Sequence, residues 1–340
     1  MRKSVVIIAE AGVNHNGSLE NALELIRLGA EAGVDYVKFQ SFKAENLVSN
    51  QAKKAEYQQQ NEPTADDSQL NMLKKLELQE SWYPVLLEAC EKHGVHFLST
   101  GFDKESLALL KGLDIPFYKV PSGEITNKPY LLQIASYGKP VILSTGMSNL
   151  EEIRAAMDVL TGAGVAKTDI TILHCNTEYP TPMEDVHLRA MQTIRDTFEV
   201  EVGYSDHTLG IEIPIAAVAL GAQVIEKHFT LDRRMEGPDH AASLEPADLK
   251  AMVQGIRNIE KALGSAEKKP SPSETPNIAV ARKSIHLASD LAAGAVIQAS
   301  DLVMLRPGDG ISPMDMDQVI GKTLKQALAI QTKLQWGHFA

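Results

Sequence analysis

Two short stretches decide the fold: "VGYSDHTLG" at residues 202–210 and "VIEKHFTLD" at residues 224–232. Each opens like a buried strand, then gathers polar side chains where the strand should end. The first gathers Ser205, Asp206 and His207; the second gathers Glu226, Lys227 and His228. Outward from this pair, short β-branched runs alternate with helix-period segments from the start to about residue 263. The other predicted strands are VVIIA (5–9), YVKFQ (36–40), HFLST (96–100), FYKVP (117–121), VILST (141–145) and ITILHC (170–175), with EVGYS (201–205) and VIEKHF (224–229) completing the set. Between them, "SLENALELIRLGAEAG" places Leu19, Ala22, Leu23, Ile26 and Ala30 on one helical stripe. Gly33 is its expected C-cap, and Ser148 with Glu151 has capping-box spacing for a later helix. Eight alternating strand–helix pairs predict an α/β protein built on a (β/α)8 TIM barrel. A doubly wound sheet is the rival; the count of eight and the lack of a G-x-G-x-x-G after the first strand favour the barrel.

The chain of 340 residues exceeds what one barrel requires. Beyond the barrel (1–265), "SAEKKPSPSETPN" reads as a linker (266–282), and short strand-like pieces with Gly and Asp turns form a small C-terminal domain (283–340). The polar segment 43–75 is too long for an ordinary βα connection and is expected to be functional or disordered. A net charge of −11 argues against nucleic acid or an anionic membrane as partner, yet leaves room for a small anionic substrate in a local pocket. Glu10 interrupts the first apolar run where a signal peptide would continue it, and no segment has the roughly 20 apolar residues of a membrane helix. Two cysteines, Cys90 and Cys175, give no disulfide framework, so a cytoplasmic protein is expected.

In such a barrel the active site lies at the C-terminal strand ends. Those ends carry Glu10, Lys38 with Gln40, Thr100, Lys119 with Ser122 and Glu124, Ser144 with Thr145, His174 with Cys175, Ser205 with His207, and Glu226 with His228. Their convergence outweighs any one of them. His207 and His228, on neighbouring strands, can meet at one divalent ion; two nitrogen ligands with open positions suit a Lewis acid rather than a structural zinc. Lys38 and Lys119 can be rim residues, Schiff-base nucleophiles or anion clamps. With the hydroxyls of Thr100, Ser122, Ser144 and Ser205 they make a phosphate or carboxylate cradle. Glu10 and Glu124 are acid–base candidates, although Glu10 could equally pair with a rim lysine. Asp206 is expected to orient His207, and turn chemistry accounts for much of "NHNG" around His15.

The same residues resemble a family. "IIAEAGVNHNGSLENALELI", "VKFQSFKAENLVS", "YKVPSGEITNKPYL", "ILSTGMSNLEEI", "HCNTEYPTPMEDVHLRAM", "GYSDHTLGIEI", "VIEKHFTLDRRMEGPDHAASLEP" and "LVMLRPGDGI" are similar to the sialic acid synthases, along nearly the whole chain. These enzymes condense phosphoenolpyruvate with an N-acetylated hexosamine aldehyde. The resemblance implies a barrel followed by an antifreeze-like (SAF) domain, in a domain-swapped homodimer. It implies His207 and His228 as ligands of a divalent ion, manganese first, with magnesium or cobalt as alternatives. Lys38, Thr100, Lys119, Ser122, Ser144 and Ser205 match phosphoenolpyruvate-binding positions. Gln40, Tyr179 and Asp239 match positions facing the sugar, Glu10 and Glu124 the acid–base carboxylates, and Arg306 an arginine reaching the partner subunit's sugar site. "FQSFKAENLVSNQAKKAEYQ" and "HCNTEYPTP" look most like the N,N'-diacetyllegionaminate branch, with N-acetylneuraminate formation from N-acetylmannosamine as the alternative. Thr177 stands where the latter branch often has asparagine.

Overall fold

The computed structural model describes residues 4–49, 51–61 and 68–340. The chain divides into two compact units, Met1–Gly264 and Ser265–Ala340.

The first unit is built on eight parallel strands: β1 (Val6–Gly12), β2 (Tyr36–Ser41), β3 (His96–Gly101), β4 (Tyr118–Val120), β5 (Val141–Ser144), β6 (Ile170–Cys175), β7 (Glu201–Asp206) and β8 (Val224–His228). Their order is β3-β2-β1-β8-β7-β6-β5-β4, so the first strand pairs with the last and the sheet curls into the predicted barrel. A crossover helix follows each strand, from Leu19–Ala32 after β1 to Pro246–Leu263 after β8. Parallel strands need such crossovers, and the helices cover the sheet's outer face, which is why the strand sequences read as nearly continuous apolar runs. The main core includes Ile7, Ile8, Val37, Phe39, Leu98, Leu143, Ile172, Leu173, Tyr204 and Ile225, packed under helix residues such as Leu25, Ile26, Leu110 and Ile256.

The first helix ends at its expected glycine, and a later helix begins one residue beyond its expected cap. Gly33 caps the first helix at φ 85°, a left-handed conformation that favours glycine. The later capping box is formed by Asn149 and Glu152, not by Ser148 and Glu151. Ser148 still belongs to the turn, where its hydroxyl donates to the Gly146 carbonyl, and the chain enters the helix only after Asn149. At Gly203 in β7, an added Cβ would sit 2.2 Å from the Val224 carbonyl oxygen, so only glycine permits this approach of β7 to β8.

The long segment after β2 contains the helices Ala44–Leu47, Glu56–Asn61 and Gln69–Lys74. Val13, Phe42, Met72 and Leu76 form a small core of their own beneath it. The expectation for 43–75 extends over residues 50 and 62–67, which lie outside the described residues.

The second unit pairs β9 (Ser284–Leu287) with β10 (Leu302–Leu305) antiparallel, around a core of Ile285, Leu287, Ile297, Val319, Leu324 and Leu334. Part of the proline-rich stretch is ordered: Thr275–Ala281 is helical with a proline in its first turn, where the missing N–H costs nothing. The Ala279 carbonyl accepts from Gly308 N at 2.6 Å, which ties that helix to its own unit.

Candidate functional site

Strand side chains alternate between the two faces of a sheet, so the inner face at the barrel's C-terminal end is specified residue by residue. β1 contributes Glu10, β2 Lys38 and Gln40, β3 Thr100, β4 Lys119, β7 Ser205, and β8 Glu226 and His228. Lys38 Nζ lies 2.6 Å from Glu10 Oε2 and 3.6 Å from Glu226 Oε2, and donates to Thr100 Oγ1 at 3.0 Å. Lys119 Nζ approaches the other Glu226 oxygen at 3.2 Å, and Ser205 Oγ donates to that same oxygen at 2.9 Å. Gln40 Nε2 donates to Glu10 Oε1 at 3.2 Å. Two buried lysines thus share one carboxylate.

The electrostatics follow from burial and from those pairs. Burial alone would raise the Glu226 carboxyl, but Lys119 and Lys38 outweigh it and hold it at about 2. Burial likewise opposes the charge on Lys38, yet Glu10 and Glu226 overcome that and push its ammonium above the usual lysine range. Glu10 goes the other way: burial raises it, against Lys38 and with help from Glu226. Two lysine side chains converging in a buried site supply the donors that an anionic ligand requires. A lysine held firmly charged is a poor Schiff-base nucleophile, so the geometry at Lys38 favours the anion clamp.

The histidine pair stands beside this network. The His207 and His228 rings have centroids 5.5 Å apart at 63°. His207 Nδ1 donates to the Asn176 carbonyl, which leaves Nε2 as its lone-pair nitrogen, 3.0 Å from the Tyr179 hydroxyl. Tyr179 stacks on His207 at 4.0 Å and meets His228 edge-on at 5.4 Å. Burial is the main reason both imidazoles are neutral: His207 falls to about 4, and His228 well below its ordinary value. Neutral imidazoles with a carbonyl-oriented tautomer are what a metal requires of its ligands. Among the described residues no group of three or more His, Cys, Asp or Glu side chains is arranged to hold an ion. The fit is therefore to an ion held by two histidines with its other positions open. Asp239 Oδ2 lies 3.9 Å from His228 Nδ1, and burial, with Glu10 nearby, raises its carboxyl to about 7.

Residues 25–268 match the NeuB family and residues 282–340 the SAF domain. The chain belongs to the NeuB family. It is 52% identical over 320 residues to the N,N'-diacetyllegionaminic acid synthase of Campylobacter jejuni subsp. jejuni serotype O:2, covering 94% of this chain and 96% of that one. It is 50% identical over 334 residues to the enzyme of the same name from Legionella pneumophila subsp. pneumophila, covering 98% and 94%. Among solved structures, an N-acetylneuraminic acid synthetase from Leptospira borgpetersenii serovar Hardjo-bovis superimposes with a TM-score of 0.71 at 35% identity, covering 81% of this chain and 90% of that one.

Not every residue singled out in this NeuB-family sequence joins the central network. Ser144 is buried on β5, and its hydroxyl has no hydrogen-bond partner among the described residues. Ser122 lies on the turn after β4, accepting from Gly146 N at 3.0 Å and 3.3 Å from Cys175 Sγ. Glu124, two residues on, accepts from Asn127 Nδ2 at 2.6 Å in a more open position. Arg306 is exposed in the second unit. His174 turns away from the inner face, bonding the Val186 carbonyl at 2.9 Å and packing on Tyr204.

Asp206 makes no hydrogen bond to the His207 ring among the described residues. It points to the outer face, where its carboxylate pairs with Lys227 at 2.5 Å and accepts from Thr208 N at 3.0 Å. The His207 ring is bonded instead by Asn176, a residue with no sequence signal for that task because it acts through its backbone carbonyl. Glu226 stands at a strand end in the sequence, where nothing marks it as the common partner of Lys38 and Lys119. Period-two alternation through "EKH" places it on the face of His228 and puts Lys227 behind.

Proposed function

We propose that this chain condenses phosphoenolpyruvate with 2,4-diacetamido-2,4,6-trideoxymannose and water, forming N,N'-diacetyllegionaminate and releasing phosphate. The observation that carries the chemistry is the pair of buried lysines sharing Glu226 beside two neutral histidines. The choice of sugar is supported by about half of the residues being identical to two N,N'-diacetyllegionaminic acid synthases, against 35% for the N-acetylneuraminic acid synthetase.

In this reading Lys38 and Lys119, with Thr100, Ser122, Ser144 and Ser205, hold the phosphate and carboxylate of phosphoenolpyruvate. Charge-assisted bonds in a dry site are strong, and the unpaired Ser144 hydroxyl offers a further donor. Gln40, Tyr179 and Asp239 face the sugar. Carbon 3 of phosphoenolpyruvate attacks the aldehyde carbon, water adds at carbon 2, and the tetrahedral adduct loses phosphate by C–O cleavage. His207 and His228 would hold a divalent ion, manganese first, which when bound supplies Lewis-acid polarisation of the aldehyde oxygen, an effect worth several kcal/mol. Glu10, held near Lys38 and raised by burial, gives a proton to the aldehyde oxygen as it becomes a hydroxyl. Glu124 takes a proton from the incoming water, and the remaining proton of the carbon 2 hydroxyl leaves with the phosphate. A domain-swapped homodimer, with Arg306 supplied across subunits, belongs to the same reading.

The test is phosphate release from phosphoenolpyruvate with the diacetamido sugar and N-acetylmannosamine side by side. The expected result is a kcat/KM that favours the diacetamido sugar. A preference for N-acetylmannosamine would move the chain to N-acetylneuraminate synthesis, and release with neither would sink the reading. Bridging ¹⁸O in phosphoenolpyruvate should appear in the phosphate; label kept in the sugar acid would exclude C–O cleavage.

A further inference from the structure

The cross-strand ladder between β7 and β8 ends at the pair Asp206 and Lys227. His207 lies one residue beyond it, so sheet hydrogen bonds do not fix His207 against His228. On the outer face of the barrel, three side chains bridge the two strand ends. Lys227 Nζ donates to Asp206 Oδ2 and to the Thr208 carbonyl. Asp206 Oδ1 accepts from Thr208 N at 3.0 Å and from Thr208 Oγ1 at 2.9 Å, an Asx turn curled around His207. The residue preceding one histidine thus grips the residues on both sides of the other.

This cluster is costly. Asp206 and Lys227 have side chains with 0% exposure, and a buried ion pair is often no more stable than apolar residues of the same volume. Among the described residues the cluster's side chains make no hydrogen bond to the inner-face groups described above. We propose that the Lys227–Asp206–Thr208 clamp sets the separation and orientation of His207 and His228, and so the affinity of the site for a divalent ion. Lys227 is a positioning residue. The inference rests on the two-histidine ion site of the proposed function, and extends it to residues outside the barrel lumen.

The experiment is Mn²⁺ binding to the chelator-stripped full-length protein, followed by titration calorimetry and the Mn²⁺ EPR signal, with thermal unfolding alongside. The variants are Asp206→Asn, which keeps the Asx turn; Lys227→Met, which removes the grip; the double variant; and Thr208→Val, which removes one hydroxyl. Each single charge deletion leaves a buried partner uncompensated and lowers Tm. The double variant restores Tm towards wild type but still binds Mn²⁺ about 10–100-fold more weakly, the range for residues that orient metal ligands. Thr208→Val, which leaves the charges alone, weakens binding by a few fold and carries the test should the other variants fail to fold. Wild-type affinity in a folded double variant, or in Thr208→Val where that is the folded one, would overturn the clamp. Failure of the unmodified protein to bind Mn²⁺ would instead overturn the two-histidine site itself.

Discussion

The two ends of the barrel are both charged, and they differ in what their charges touch. At the N-terminal end, Arg257 bridges Ser4 Oγ, the Val5 carbonyl and Glu260 through Nη1, and Asp35 through Nη2, all within 3.1 Å. Asp35 and Glu260 in turn accept from Ile7 N and Val5 N. These side chains remain 20–39% exposed. At the C-terminal end, Glu10, Lys38, Lys119 and Glu226 are at most 6% exposed, yet Ser144 Oγ and His228 Nδ1 have no hydrogen-bond partner among the described residues. Saturated, half-wet charges fasten the first strand to the last helix of the barrel. Buried, under-satisfied ones cost stability, and such strain collects where a ligand is to be held.

The largest expected effect tests the costly end. His228→Ala or His207→Ala should lower phosphate release by about 10³-fold or more, since several kcal/mol of polarisation are lost. Thermal unfolding should shift by only a few degrees, because neither ring is a hydrocarbon anchor of the core. A variant with near wild-type turnover after chelation and manganese re-addition would remove the histidines from the chemistry. Next in size is Glu226→Gln. It should cost about 10²-fold in activity, because the lysines lose their common reference point. In the absence of ligand it should also lose roughly 3 kcal/mol, since a buried lysine–carboxylate pair loses one partner. Phosphoenolpyruvate then replaces the missing anion, so its stabilising Tm shift should exceed that seen with wild type. An equal or smaller shift would show that the lysines do not face the ligand.

The opposite end gives a smaller and inverted result. Arg257→Ala should cost about 1–2 kcal/mol, discounted for its partial exposure, and leave kcat/KM unchanged. A loss of activity at unchanged stability would break the contrast between the ends.

This contrast also explains what could be read from the chain beforehand. The eight strands were legible because a parallel strand covered on both faces is a short apolar run, and "ITILHC" matches β6 residue for residue. Lys38, Thr100 and Glu10 were found by looking at strand ends, where the fold itself puts function. Pairing was not legible. "YSDH" does not say whether Asp206 turns towards His207 or towards Lys227, twenty-one residues further on, because that choice depends on the register of β7 against β8. Nor does "PSGE" reveal that Glu124 lies on a short 3-10 turn bonded to Asn127 while Lys119 stays inside.

The smallest expected signal asks whether the mouth, unlike the base, is completed by another copy of the chain. Arg306 is an exposed side chain beside Pro307 in "RPGDG", in the second unit. A planar guanidinium can hold an N-acetyl carbonyl with two donors, which lysine cannot match. Arg306→Ala and His228→Ala proteins, each expected to be inactive, are mixed under conditions that exchange subunits. In a symmetric dimer half of the assemblies are then mixed, and each holds one site free of both lesions if Arg306 acts across the interface. Activity should therefore recover to about one quarter of wild type. If Arg306 serves its own barrel, every site in the mixture carries a lesion and nothing recovers. Mass spectrometry of the mixture fixes the fraction of mixed dimers, so an absence of recovery at the expected fraction rules out contribution in trans. Recovery that scales with that fraction establishes it.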